Sequence, residues 1–326
     1  MIISTAPVVQ DEEDLPADSE IRELSIDARL HGQRLDKALA EGVNEFSRSY
    51  LQQLIAQGDL CVDGQVQTKP SAKVRLGQKL RLVMRPTPQS QAFVPEAMDL
   101  EVVFEDEHLR VIHKPAGLVV HPAPGNWRGT LLNGLLALDS QASTLPRAGI
   151  VHRLDKDTSG LMVVARTRQA MDALVQRIAA REVKRQYLAI GQGRWGSVTE
   201  REVTVGIGRD PQNRLRMAAV DVQRQPGKEA RTTIRCLDQN DSYCLVLCSL
   251  HTGRTHQIRV HMAHLGHPLV ADALYGGVCA GGLNRQALHA WKLAFDHPIT
   301  GQALAFEAAP PADIEQTLQA LGLRYN

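Results

Sequence analysis

The chain has 326 residues, 43% of them hydrophobic and 22% charged, and a formal net charge of +1 at pH 7. This length predicts two domains, and the composition is that of a chain that buries a substantial apolar core. No apolar stretch approaches the roughly 18–20 residues of a membrane-spanning helix, and the first residues lack the basic and apolar regions of a signal peptide. We therefore expect a cytoplasmic protein without a membrane anchor, whose five cysteines form no CxxC pair and stay reduced.

Charge is distributed unevenly over the first 90 residues. Residues 1–31 carry eight acidic and two basic side chains, whereas residues 32–90 carry nine basic and five acidic ones. The acidic segment lacks apolar periodicity, so we expect residues 1–25 to form a disordered leader. The basic segment behind it fits either contact with a polyanion or an ordinary solvated surface, and charge alone does not separate the two.

Residues 32–85 predict a small α+β domain. Apolar residues at helical spacing indicate two helices, the second of them capped by Ser47. An Asp-Gly pair at residues 63–64, between alternating apolar residues, predicts a tight hairpin, and a further strand follows at 78–84.

The order of these elements, together with three short motifs, resembles the S4-type RNA-binding domain. The motifs are RLD at residues 34–36, SR at 47–48 and VDG at 62–64. The resemblance implies that basic side chains of this domain contact RNA phosphates. The candidates are Arg48, Lys69, Lys73 and Arg75.

A proline-rich stretch at residues 86–95 indicates a linker, and residues 96–326 form the second predicted domain. Strands outnumber helices there and often follow one another directly, which predicts a mixed or antiparallel α+β sheet rather than alternating βαβ units. The pattern predicts a hairpin over 100–113, helices over 130–138, 169–181 and 255–265, and strands over 186–191, 232–237 and 243–250.

The run HRLDKDTSG at residues 152–160 is the most informative part of the chain. If the segment is extended, Arg153 and Asp155 lie on the same face, just before a turn into an apolar stretch. Such an arrangement presents a charged group to a substrate. Taken alone, Asp155 is better explained as a turn or capping carboxylate with Arg153 as its partner, so the interpretation depends on the context of the run.

That context resembles the signature of the RluA/RluD-type pseudouridine synthases. Three further segments match this family in the same order, and with the S4-like domain the resemblance spans about residues 32–310. The segments are HKPAGLVVHP at 113–122, KRQYLA at 184–189 and HTGRTHQIRVH at 251–261. The chain departs from the family pattern at 270–276, where Ala271 and Ala273 replace the usual Gly and Pro.

The resemblance implies an enzyme that isomerises uridine to pseudouridine in large-subunit ribosomal RNA. It assigns the essential catalytic role to Asp155, places Arg259 beside that carboxylate, and stacks the target base against Tyr187. Arg153 and Arg254 are then candidates for contact with RNA. The expected partner is large-subunit ribosomal RNA or a pre-ribosomal particle, and the expected state is a monomer.

This isomerisation breaks the N1–C1′ bond, turns the uracil and rejoins it to the sugar through C5. It involves no redox change, phosphate transfer or net hydrolysis, so we expect neither a metal nor a nucleotide cofactor. One carboxylate serves either as nucleophile at C1′ or as base at the 2′ position, and the sequence leaves both roles open. A charged arginine beside it, the position implied for Arg259, keeps such a carboxylate ionised in a dry pocket.

Two other functions stay open at the level of sequence. One is a non-catalytic RNA-binding or ribosome-assembly factor on the same fold, although a pure binder does not need Asp155, Tyr187 and Arg259 together. The other is a metal-dependent hydrolase. The chain has neither HExxH nor CxxC, so we interpret the following side chains as structural: Cys244, Cys248, His251, His261, His264 and His267.

Overall fold

The chain divides into two compact units, residues 1–91 and residues 92–326. None of the helices in the described part is long and apolar enough to cross a bilayer. The computed structural model describes residues 20–43, 48–84, 92–123, 125–213 and 215–325.

The N-terminal unit packs two helices against one antiparallel sheet. Its elements are β1 (Glu20–Ser25), α1 (Leu35–Gly42), α2 (Arg48–Gln57), β2 (Leu60–Val62), β3 (Gln65–Val66) and β4 (Lys79–Met84). The strand order is β1-β4-β2-β3, and the predicted Asp-Gly turn joins β2 to β3. The core between helices and sheet is formed by Leu35, Leu39, Leu51, Ile55, Leu60 and Leu82, among others.

The strand β1 shows that the predicted C-terminal boundary of the disordered leader, residue 25, is wrong. Residues 20–25 pair with β4 along their whole length. Leu24 and the buried Ile26 pack against the core of this unit. The acidic residues around them made this short apolar pattern hard to recognise in the sequence. Residues 1–19 and the expected helix cap, Ser47, lie outside the described residues.

Asp36 is buried in the N-terminal unit and organises the basic side chains around it. Its carboxylate accepts hydrogen bonds from Arg34 at 3.0 Å, from Arg48 at 2.9 Å and from Gln52. The bond from Arg34 holds the pKa of Asp36 well below its ordinary value, against the opposing effect of burial. Arg48, predicted to contact RNA, is therefore engaged by a protein carboxylate.

The second unit is built on a nine-stranded mixed sheet, which confirms the predicted α+β class. Its strands are β5 (Glu101–Glu105), β6 (Leu109–Lys114), β7 (Ser159–Ala165), β8 (Lys184–Gln192), β9 (Glu200–Val203), β12 (Thr232–Gln239), β13 (Tyr243–Leu250), β14 (Leu288–Asp296) and β15 (Ala303–Glu307), with β10 (Gly206–Arg209) and β11 (Met217–Val220) in a separate hairpin. The order is β5-β6-β7-β14-β8-β13-β12-β9, and β15 also pairs with β14. All these pairs are antiparallel except β7 with β14.

Helices cover both faces of this sheet. They are α3 (Leu131–Leu138), α4 (Arg168–Ala179), α5 (Gln257–His264) and α6 (Ala312–Ala320), and the first three lie within two residues of their predicted bounds. Because side chains alternate along a strand, Leu161 and Met162 of the fully buried β7 contribute to different cores. One core contains residues of α3 and α5 together with Tyr187, and the opposite face carries α4 and α6.

Candidate active site

Asp155 lies in the loop that leads into β7, and two buried or half-buried cations fix the backbone of this loop. The ammonium of Lys114, at the end of β6, donates to the carbonyl of Lys156 at 2.9 Å and to two carbonyls of the segment that follows β6. Arg285 donates to the carbonyl of Asp157 at 2.9 Å. The two turn residues that follow Asp155 are thus held at their carbonyls, which limits the freedom of the backbone next to Asp155.

Asp155 borders a cavity of about 450 Å³. This volume lies in the range of small-molecule sites, so the cavity has room for a single nucleotide. The five site residues predicted for the second unit all line it: Arg153, Asp155, Tyr187, Arg254 and Arg259. The other predicted contacts belong to the N-terminal unit, where Lys69, Lys73 and Arg75 are all exposed.

Arg259 of α5 connects Asp155 to a second carboxylate. Its Nη1 donates to Oδ2 of Asp155 at 3.2 Å, while Nε and Nη2 donate to both oxygens of the buried Asp272 at 2.7 and 2.8 Å. Burial opposes the charge of Arg259, but the hydrogen bonds and negative charges of Asp272 and Asp155 together outweigh it and raise the arginine's pKa. The guanidinium therefore presents a fixed positive charge to one oxygen of Asp155.

His256 and Tyr275 complete the surroundings of Asp155. Nε2 of His256 lies 4.0 Å from Oδ1 of Asp155, and its Nδ1 lies 2.8 Å from the Tyr275 hydroxyl, which accepts from the backbone N–H of Met217. The guanidinium of Arg259 lies over the Tyr275 ring, 4.9 Å from its centre. Burial lowers the pKa of His256, although the charge of Asp155 acts in the opposite direction.

Asp272, Tyr275 and His256 are the site residues that sequence reasoning missed. His256 lies within the predicted 251–261 segment, and the other two lie within 270–276, so position in a matching segment was the available signal. The two alanines that depart from the family pattern leave this turn in place. Ala271 adopts a left-handed φ of 59°, a conformation that favours glycine, the usual residue there.

Tyr187 of β8 lies on the sheet face that borders the cavity. It is buried, and burial raises the pKa of its hydroxyl to about 12, so that this group stays protonated at neutral pH. Arg185, two residues earlier on the same strand, also lines the cavity. Its side chain is buried, and its Nε has no hydrogen-bond partner among the described residues.

The histidines and cysteines that suggested a metal hydrolase are used in packing. His261 bonds Thr232 and the carbonyl of Val205 at 2.8 and 3.1 Å, and His267 bonds a backbone carbonyl. Cys244 and Cys248 are buried, which raises the pKa of both thiols. In the described ranges, no three His, Cys, Asp or Glu side chains come together as a ligand set.

Comparisons with known proteins show which family the chain is similar to. A family model described as RNA pseudouridylate synthase matches residues 108–264, and the S4 domain model matches residues 33–80. The ribosomal large subunit pseudouridine synthase D of Neisseria meningitidis is 46% identical over 311 residues, covering 92% of this chain and 82% of that protein. The chain belongs to the RNA pseudouridylate synthase family.

A second relative and a solved structure extend the likeness. The enzyme of the same name from Nitrosomonas europaea is 47% identical over 307 residues, covering 92% of this chain and 87% of that protein. Human RNA Pseudouridylate Synthase Domain Containing 1 superposes with a TM-score of 0.52 at 26% identity, covering 70% of this chain and 87% of that structure. Family membership confirms the expectation of an RNA pseudouridine synthase.

Replacing Asp272 by Asn tests whether the Asp272 carboxylate holds the guanidinium of Arg259 in place in this pseudouridine synthase. The amide keeps the shape of the side chain but leaves the buried guanidinium with half of its charge compensation, so we expect the free energy of unfolding to fall by about 3 kcal/mol. The matched control is Glu202→Gln, which breaks an exposed pair with Arg231 (2.7 Å) and is expected to cost less than about 1 kcal/mol. Urea denaturation measures the free energy of unfolding of both variants. Equal losses contradict the role of Asp272 in holding Arg259.

The buried Lys114 makes stability depend on pH. Burial lowers its pKa to about 7, so between pH 7 and about 10 the unfolded chain binds a proton that the folded chain does not. The free energy of unfolding therefore rises with pH in this window, by about 2–5 kcal/mol. We expect Lys114→Met to lack this rise and the surface variant Lys292→Met to keep it. Denaturation curves at several pH values provide the test, and parallel curves for all three proteins contradict it.

Proposed function

We propose that this chain isomerises specific uridines to pseudouridine in large-subunit ribosomal RNA, without a cofactor. The observation that carries the proposal is the pairing of Asp155 with the fixed guanidinium of Arg259 inside a cavity of nucleotide size. The names of the two bacterial relatives support the substrate class. A non-catalytic RNA-binding factor on the same fold has no use for a carboxylate held in this way.

Asp155 is the proposed catalytic residue. Arg259 occupies its Oδ2, while Oδ1 faces His256 at 4.0 Å and is the oxygen free to reach a substrate. The carboxylate acts as nucleophile at C1′ or as base at the 2′ position, and the same geometry serves both routes. In either route the N1–C1′ bond breaks and the C5–C1′ bond forms. The proton on C5 is released and N1 takes up a proton, so the product is an isomer of the substrate.

Tyr187 is the proposed platform for the target base. A cavity of this size takes a nucleotide only after it has left the stack of a folded RNA, and extruded bases are held against aromatic side chains. The exposed Arg153 lies at the cavity, where it either fills the gap left by the base or contacts the backbone. Arg254 donates to the carbonyl of Glu229 at 2.9 Å and keeps further donors for a phosphate.

The N-terminal unit is proposed to add affinity for RNA. Its accessible basic side chains are suited to phosphate contacts, which position an RNA without reading its sequence. The residues are Lys69, Lys73 and Arg75, whereas Arg48 is held by Asp36. We further propose that the protein is a monomer and, because the proposed substrate is ribosomal RNA or a pre-ribosomal particle, that it is cytoplasmic.

Asp155→Asn is expected to abolish turnover while RNA binding survives. Asn keeps the shape but acts neither as nucleophile nor as base, so the rate should fall by at least about 10²–10⁴. Release of tritium from 5-tritiated uridine in ribosomal RNA measures turnover, and a binding titration measures affinity. Asp157→Asn, two residues along the same loop, is the matched control, because its side chain makes no hydrogen bond among the described residues and only its backbone carbonyl accepts one, from Arg285. Normal turnover by the Asp155→Asn variant would show that Asp155 is not the catalytic residue.

Tyr187 is tested by two substitutions. Tyr187→Phe keeps the ring and removes the hydroxyl, so we expect unchanged affinity and slower turnover. Tyr187→Ala removes the stacking surface, which is worth about 1–3 kcal/mol per base, so affinity should fall about fivefold to 150-fold. Titration and tritium release separate the two effects. If the Ala variant folds and binds RNA like the wild type, Tyr187 is only a core residue.

The substrate class has its own experiment. Pseudouridines in ribosomal RNA are mapped in cells with the gene, without it, and with the Asp155→Asn form. We expect a defined set of large-subunit positions to lose the modification in the second and third cases. An unchanged map, with active enzyme on another RNA, would leave the family activity in place and overturn the proposed substrate.

A further inference from the structure

Left-handed backbone at non-glycine residues is concentrated around the cavity. The described part of the chain has six such residues: Asp63, Arg147, Ala148, Arg181, His256 and Ala271. Three of them line the cavity, and Ala148 and Ala271 are direct chain neighbours of Arg147 and Asp272. This conformation is unfavourable for L-residues, and it persists where the surrounding structure imposes it, most often at functional sites.

Arg147 lies in a short left-handed turn that packing imposes. Its φ is 54°, and the next two residues, Ala148 and Gly149, have φ values of 53° and 79°. Ala148 is buried, and a Cβ at Gly149 would lie 1.9 Å from the carbonyl oxygen of Ala165, so these two residues fix the turn. The Arg147 side chain is exposed and lines the cavity. A residue that tolerates this conformation, such as Asn, would serve the packing at less cost.

Arg181 occupies a comparable position just after α4. Its N–H donates to the carbonyl of Ile178 at 3.2 Å, and the N–H of Glu182 donates to that of Arg177 at 2.9 Å. These two bonds close the helix in the motif whose left-handed residue is usually glycine. Arg181 has a φ of 67°, an exposed side chain, and a place in the cavity lining. Arginine is therefore an unfavourable choice for the backbone here as well.

The charges around the cavity indicate what these side chains bind. Its lining holds six arginines and one carboxylate, Asp155, which Arg259 already engages. Within the described ranges, no carboxylate forms an ion pair with Arg147 or Arg181, and the Nε of the buried Arg185 has no partner. An anion of the substrate meets this excess of positive charge, and in an RNA that anion is a phosphate.

We propose that Arg147 and Arg181 bind backbone phosphates of the RNA where it enters the cavity, and that this contact is why arginine occupies two positions suited to glycine or asparagine. The inference rests on the proposed function. Because packing fixes the turn and two backbone hydrogen bonds close the helix end, the backbone from which each arginine side chain extends is in place before the RNA arrives. The two arginines hold the strand while the target nucleotide turns inward.

The test replaces each arginine by the residue that its backbone favours. Arg147→Asn and Arg181→Gly should leave the melting temperature unchanged or raise it, because both relieve backbone strain. Each should weaken binding of a ribosomal RNA fragment about threefold at moderate salt and reduce the slope of log affinity against log salt by about 0.7. Arg147→Lys and Arg181→Lys should keep most of the slope. The control is Arg168→Gln, at the other end of α4, where the arginine pairs with Asp172 at the surface.

Three outcomes decide the matter. Stable variants that bind with the wild-type affinity and salt slope overturn the inference, since the arginines then contact no phosphate. Variants, including the Lys forms, that lose melting temperature and affinity together also overturn it, since the arginines are then structural. A wild-type protein that binds the fragment with the expected slope but never modifies ribosomal RNA contradicts the proposed function and leaves the phosphate contacts standing.

Discussion

The ion pair between Asp155 and Arg259 is the constraint on which the rest of the site depends. A carboxylate that acts on the sugar has to be charged, yet a pocket dry enough to retain a detached uracil disfavours charge. In the proposed reaction, Arg259 supplies a positive charge at Oδ2 of Asp155, while Asp272 holds the other donors of the guanidinium and fixes its plane. A mobile arginine could contact both carboxylate oxygens of Asp155 and would then leave neither of them free for a substrate.

The sheet places the members of this site close together although they are far apart in the chain. Asp155 precedes β7, Tyr187 lies on β8, and Arg259 lies in the first turn of the helix that follows β13. The three strands lie side by side through β14, in the order β7-β14-β8-β13. Sheet hydrogen bonding therefore sets the distances between the proposed catalytic groups, while Lys114 and Arg285 hold the irregular segment that carries Asp155.

Residues with a strained backbone lie in the same region as the proposed functional residues. Left-handed residues in the described part of the second unit are found at the cavity or next to residues that build it. Each costs of order 1–3 kcal/mol, an amount that the surrounding packing has to offset. The rigid sheet and its two covered faces supply that packing. In a loosely packed domain the backbone of these residues would relax to more favourable φ values. The backbone positions of Arg147, Arg181 and His256 would then no longer be fixed.

The amino-acid sequence by itself predicted two domains, the α+β class and the bounds of three of the four described α-helices of the second unit to within two residues, because periodicity and turn residues are local signals. It did not predict α6. It also pointed to Asp155, Tyr187 and Arg259, since each lies in a segment with a recognisable family pattern. The strand β1 escaped detection because acidic residues concealed its few apolar contacts.

Only the tertiary structure decided how those segments combine. The bond from Arg259 to Asp272, the place of His256 beside Asp155, and the use of Arg48 by Asp36 are contacts between distant segments. No local pattern encodes such contacts, because a side chain's partner is chosen by the fold that surrounds it. The same holds for the arginines at left-handed positions: their residue type is visible in the sequence, but the backbone that makes them unusual is set by packing against the core.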